Sequence, residues 1–314
     1  MLRIAGLLLP VLVNGSAIAQ NAGCPQPEVR TDPVSCEALW EGIGLPVSNK
    51  DDDEDGFTYV CHEQFLVRHN STTKTPDWVI ERLTAELVSG DNKRPKVKFR
   101  SEPCAPGTGR AVDTDYTNSE YARGHQAASD DFAVNLDWMK DTFVLSNAVP
   151  QQGEGFNSSI WAQFEKRVRD LAADRGELYV ITGPVYQKRR GDIVVSATEN
   201  ACGVEIRLPK LPRASVCGGE SGEPKSPCAN GVAIPAGLFK IIVDPGRGRV
   251  NAYLMPNTDH RLIREDGMST EDYLATWRVS VRNVEDNVGY AFMPDLSRHE
   301  RRAQLESCPG TMIR

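Results

Sequence analysis

The 314-residue chain has little of three things, and each scarcity excludes a class of protein. It has no excess of positive charge: 36 Lys+Arg stand against 43 Asp+Glu, for a net charge of −7. A general polycation is excluded, so any affinity for nucleic acid must come from a local patch. It has no long hydrophobic run after its first twenty residues, which leaves no later segment able to cross about 30 Å of hydrocarbon. It also has no CxxC pair, so the spacing that marks most structural zinc sites is missing. Histidines number five. No internal repeat is visible, which argues against a solenoid or propeller.

What is present is an ordinary globular composition, 40% hydrophobic and 25% charged. Arg3 precedes an apolar run from Ile4 to Val13, followed by Ala17-Ile18-Ala19. This predicts a signal peptide over residues 1–19 and a secreted or periplasmic chain. All eight cysteines follow it, and an even number in an exported chain favours disulfides over zinc or free thiols. Residues 20–56 read as an N-terminal arm. The acidic turn Asp51–Asp55 resembles half of an EF-hand loop, but His62 stands where the closing Glu belongs, so a solvated turn is expected. Residues 57–314 read as a single domain with a cysteine-bearing loop at about 186–232.

Phe57–Arg68 alternates like a strand, and Asp77–Leu87 has helical spacing. Lys93–Arg100 reads as a short strand with five basic residues, either a guarded edge or a phosphate contact. Asn157–Asp174 is the clearest helix, with Asn157 or Ser158 as cap and Gly176 as stop. Leu178–Thr182 is a buried strand broken at Gly183-Pro184. Leu238–Asp244 and Asn251–Met255 pair around a Gly-rich turn. Ser269–Val279 is mixed.

The chemistry lies between Tyr121 and Tyr186. His125 can take a proton from water near neutral pH. Asn147, Asn157 and Glu165 offer oxygens to a hard cation. Arg123 and Arg169 offer planar forks to a phosphate. Taken singly, Glu165 and Arg169 are an ordinary pair one helical turn apart.

Taken together, Arg123-Gly124-His125, Ser146-Asn147-Ala148-Val149-Pro150-Gln151, Asn157, Trp161, Glu165, Arg169 and Thr182-Gly183-Pro184-Val185-Tyr186 resemble the DNA/RNA non-specific endonuclease family. These are ββα-metal, or His-Me finger, nucleases. The resemblance implies an α+β fold with a central antiparallel sheet flanked by helices. It also implies a metal-dependent endonuclease that hydrolyses DNA and RNA. His125 would be the general base, and Asn157 the one protein ligand of a hydrated Mg²⁺ or Mn²⁺. Glu165 would hold metal-bound water, and Asn147 would orient His125 through a hydrogen bond. Arg123 and Arg169 would neutralise the scissile phosphate. The family also implies a monomer or homodimer.

Ala122 stands where the family usually carries Asp, which leaves open an inactive nucleic-acid-binding relative. A narrower phosphodiesterase is the other alternative. For substrate contact, Lys98 and Arg100 before the motif and Lys188, Arg189 and Arg190 after it are the candidates.

Overall fold

The computed structural model describes residues 31–49, 56–105, 109–186, 193–195, 202, 205–208, 228–229, 231–296 and 308. The expected leader, the acidic turn, Lys188–Arg190 and most of the loop at 186–232 lie outside them. In chain order the strands are β1 (Val47–Ser48), β2 (Phe57–His62), β3 (Phe65–Asn70), β4 (Thr75–Thr84), β5 (Tyr121–His125), β6 (Ala148–Gln152), β7 (Glu177–Val185) and β8 (Ile193–Val195). There follow β9 (Ile206–Leu208), β10 (Cys228–Ala229), β11 (Val232–Ala233), β12 (Gly237–Asp244), β13 (Arg249–Pro256), β14 (Arg278–Val279) and β15 (Tyr290–Ala291). The helices are α1 (Leu136–Asp141), α2 (Ala162–Arg175), α3 (Thr270–Ala275) and α4 (Val281–Val288).

A seven-stranded antiparallel sheet in the order β14-β13-β12-β7-β4-β3-β2 forms the centre. This is the α+β architecture expected. Successive side chains of a strand point to opposite faces, so each central strand feeds two cores. Val79, Leu83, Val180 and Ile242 meet Trp161, Phe164 and Val168 around α2 on one face. Trp78, Ile80, Ile181 and Ile241 meet Leu39 and Ile43 from the N-terminal segment and Val281 and Val284 from α4 on the other. The part of residues 20–56 that is described therefore packs on the sheet, and a Cys36–Cys61 disulfide fastens it to β2. A second disulfide joins Cys202 to Cys308.

Several expected elements change. Asp77–Leu87 is not a helix: Thr75–Thr84 is the strand β4. Burial on both faces removes the alternation that marks a half-exposed strand, and the remaining apolar positions fit a helical period as well. Phe57–Arg68 splits into the hairpin β2–β3. Lys93–Phe99 forms no strand, and only Arg100 bridges to Val144. Gly183-Pro184 does not end β7, which pairs with β12 through Val185. Glycine is needed at 183, where a Cβ would fall 2.5 Å from the Asp77 carbonyl oxygen. The β12–β13 hairpin forms as expected around Pro245–Gly248.

Candidate active site

β5 and β6 form a separate antiparallel hairpin with Gly124 opposite Val149 and His125 opposite Ala148. A single run of chain leads from β6 into the helix ending at Arg175, giving strand, strand and helix in the order the resemblance implies. Alternation puts Arg123 and His125 on one face of the hairpin and Ala122 and Gly124 on the other. The hairpin is closed tightly: a Cβ on Gly124 would lie 2.0 Å from Cδ of Gln151. Gln151 stands opposite Ala122, and its buried carboxamide has no partner among the described residues.

His125 is buried. The Phe99 and Phe143 rings each lie 4.7 Å from it, centroid to centroid. Nε2 is sealed from solvent and has no partner among the described residues, while Nδ1 is not sealed in this way. Burial, and then the Arg94 charge, push the imidazole pKa down to about 3. The ring is therefore neutral at ordinary pH, with a free lone pair.

Asn147 does not reach the imidazole. Its Nδ2 donates to the carbonyls of Ala127 and Thr142, both at 3.0 Å, and its Oδ1 accepts from the Ala127 amide at 2.9 Å. The expected direct hydrogen bond to His125 is thus replaced by a clamp on the backbone just after it. A buried amide satisfies its own groups first, and the nearest available groups here are main-chain ones.

The helix is not wound as expected. Gly153–Trp161 is π-helical, and α2 continues it from Ala162. The Gln152 side chain accepts from the Gly155 amide at 2.9 Å, so the cap lies upstream of Asn157 and Ser158. Relieved of capping, the half-buried Asn157 has no side-chain hydrogen bond among the described residues. In a uniform α-helix, positions 157 and 165 would be offset by about 80°, eight steps of about 100°. The wider π turn reduces that offset and brings Asn157 and Glu165 towards one face. Burial raises the Glu165 pKa to about 7; Lys240 opposes this, Asp131 adds to it, and Arg169 and Arg94 oppose it. Arg169 Nη1 is paired with Asp131 Oδ1 at 2.8 Å.

Arg123 is engaged as well, with Nη2 2.7 Å from Asp113 Oδ1 and 2.9 Å from the Asp113 carbonyl. Of the candidate substrate contacts, Lys98 is exposed, whereas Arg100 is tied to Asp141 at 3.2 Å. Arg94 is the residue the sequence did not single out within its basic run. Its guanidinium stands 4.9 Å from the Phe143 ring centroid, and its charge acts on both His125 and Glu165. An irregular chain path puts it there, and no periodicity signals such a path.

No group of three or more His, Cys, Asp or Glu side chains among the described residues makes a metal cage. The unpartnered Asn157 carboxamide and the half-buried Glu165 instead fit a hydrated hard cation, which keeps most of its own waters. His62, His69 and His260 are all buried and hydrogen-bonded, to Glu102, to the Gly109 carbonyl, and to Tyr273 and the Pro256 carbonyl. They serve the fold.

A profile of the DNA/RNA non-specific endonucleases matches residues 46–299. The chain belongs to that family. It is 29% identical over 250 residues to a mitochondrial nuclease of Saccharomyces cerevisiae, covering 77% of this chain and 67% of the relative. It is 28% identical over 244 residues to nuclease C1 of Cunninghamella echinulata, covering 76% and 83%. It is 27% identical over 237 residues to human mitochondrial endonuclease G, covering 74% and 69%. A chain of the solved EndoG/EndoGI complex superposes with a TM-score of 0.63 at 26% identity, covering 89% of this chain and 98% of that one.

These relatives correct the expected location. The yeast nuclease, EXOG and endonuclease G are mitochondrial, so the secreted or periplasmic reading of the first residues is overturned. The physical reason is that an acid-free N-terminal stretch with an arginine and an apolar run is common to several address signals. Among the described residues no helix is long and apolar enough to cross a membrane.

Proposed function

We propose that the chain is a metal-dependent endonuclease that hydrolyses phosphodiester bonds in both DNA and RNA at the β5–β6–α2 unit. The observation that carries this is the environment of His125: a buried, neutral imidazole on the same short hairpin that feeds the helix of Asn157 and Glu165. Arg94 links the two halves, since its charge bears on both His125 and Glu165.

His125 takes a proton on Nδ1 from the water that attacks phosphorus, with Nε2 carrying the ring's own proton against the phenylalanine wall. Phe99 and Phe143 hold the ring in place, and Asn147 fixes the backbone that follows it. Asn157 and Glu165 would hold Mg²⁺ or Mn²⁺, which when bound supplies positive charge at the leaving 3′ oxygen. Arg94 and Arg169 stabilise the charge that develops on the non-bridging phosphate oxygens. Lys98 extends that cationic side along the backbone. Contacts of this kind read phosphates rather than base edges, which gives little sequence preference. Products carry 5′-phosphates.

The test is degradation of plasmid DNA and of RNA by the purified chain with Mg²⁺, Mn²⁺ or EDTA. Cutting with either metal, abolished by EDTA and lowered about 10²–10⁴-fold in His125→Ala, is expected. A folded protein that binds nucleic acid but cuts none with any metal would overturn the proposal in favour of a binding protein.

A further inference from the structure

Just beyond His125 the chain makes a short helical turn, Ser129–Phe132, and that turn carries a carboxylate that plays no part in the steps above. Asp131 is almost fully buried, at 3% exposed, whereas its neighbour Asp130 faces water. The two differ in what they meet. Asp131 Oδ1 accepts a hydrogen bond from Arg169 Nη1 at 2.8 Å, so the turn after the candidate base is joined to the arginine on α2.

The span from His125 to Phe132 is held along its length. The Gln126 amide donates to the Asn147 carbonyl at 2.9 Å, and the Asn147 side chain takes both the amide and the carbonyl of Ala127. The Ser129 hydroxyl donates to the Met139 carbonyl at 3.4 Å, and the Asp131 amide to the Ala128 carbonyl at 3.1 Å. Phe132 is fully buried, with its ring stacked on Phe65 at 6.3 Å between centroids. Asp131 therefore has a fixed place relative to His125. Through it, so does the Arg169 guanidinium, although Arg169 belongs to a different element.

A carboxylate buried here is a poor way to pack a turn. It loses its hydration shell, and a buried ion pair is often no more stable than apolar side chains of the same volume. What the pair gives is direction. A hydrogen bond at Nη1 fixes the plane of a guanidinium, and it uses one N–H of several. Arg169 is half-buried, and its side chain makes no other hydrogen bond among the described residues. The edge formed by Nε and Nη2 is left for an anion. An arginine already held at one end also loses less rotamer freedom when a phosphate arrives.

We propose that Asp131 is a positioning residue, which holds Arg169 by Nη1 so that its remaining edge meets the scissile phosphate at a place fixed relative to His125. This rests on the reading that Arg169 answers the charge developing on that phosphate. Without the carboxylate the guanidinium keeps its charge but must find its place in each turnover. The loss then falls on the transition state, while ground-state binding, shared among other phosphate contacts, changes little.

The experiment is a double-mutant cycle read in steady-state cutting of DNA at saturating Mg²⁺. Asp131→Ala and Asp131→Asn are each made in wild type and in Arg169→Ala, and thermal melts set an assay temperature at which every variant is folded. Mn²⁺ binding to each protein alone is measured by calorimetry. In the wild-type background Asp131→Ala is expected to lower kcat about tenfold, with KM for DNA and Mn²⁺ affinity each shifted less than about twofold. Asp131→Asn keeps the shape and the accepting oxygen, so it should lower kcat only about threefold. In Arg169→Ala neither change should lower kcat further, because the residue it acts through is gone. Asp131→Ala that cuts like wild type overturns the inference. So does an equal fall in both backgrounds, which is what a packing role predicts, and so does a loss of Mn²⁺ affinity as large as the loss of kcat, which would place the effect at the metal. If Asp131→Ala does not fold, Asp131→Asn decides: a fall in kcat that disappears without Arg169 supports the inference, and no fall, or an equal one in both backgrounds, overturns it. A wild type that cuts nothing sinks the nuclease reading and the inference with it, whereas a wild type that cuts, matched by Asp131→Ala, sinks the inference alone.

Discussion

Glu165 has a folded pKa of about 7, above its ordinary value of 4.5. The unfolded chain releases that proton first, so stability is lost as pH rises from about 4.5 to about 7. Glu165→Gln removes the penalty. In EDTA at pH 8 the variant is expected to be about 1–2 kcal/mol more stable, less than the full shift implies because the group is half-exposed. At pH 4 the two proteins should match. Denaturant melts at both pH values check this, and a variant less stable at pH 8 would contradict it. At this scale the sequence was informative where chemistry restricts residue type: His125, Asn157, Glu165 and Arg169 all fall on the β5–β6–α2 unit. It was uninformative about partners. That Asn147 serves the Ala127 backbone and that Arg123 leans on Asp113 are facts of packing, and no motif encodes them.

Between elements, a close approach at the candidate site is the one between Gly124 and Gln151. Gly124→Ala puts a methyl group where the Gln151 amide lies, so the hairpin must open or the amide must leave its pocket. The expected cost is about 1–3 kcal/mol, and cutting should fall because His125 is the next residue. Adding Gln151→Ala clears the space and should return most of the stability. Equal melting of Gly124→Ala and wild type would show that the close approach constrains nothing. Elements were legible where one face is wet, as in the helix after Asn157, or where an exposed Gly-rich turn marks the connection, as in the hairpin around Pro245–Gly248. They were misread where both faces are dry, as in β4, or where a π turn replaced an α turn and moved the cap to Gln152.

For the molecule as a whole, a net charge of −7 opposes a polyanionic substrate, so a few local cations must do the attracting. Arg94→Ala is expected to reduce the slope of log affinity against log salt by about one, and Arg100→Ala, already paired with Asp141, by less. Filter binding in Ca²⁺ between about 50 and 200 mM salt measures both, and equal slopes for wild type and Arg94→Ala would remove Arg94 from the interface. The sheet is assembled from two parts of the chain that meet at β7. β2, β3 and β4 come from one end, β12, β13 and β14 from the other, and β7 emerges directly from the helix of the candidate site. During synthesis β4 therefore waits with an open hydrogen-bonding edge until the segment carrying His125 and Glu165 has left the ribosome and delivered its partner strand. The residues proposed for catalysis thus lie in the stretch that must be in place before the two halves of the sheet can join.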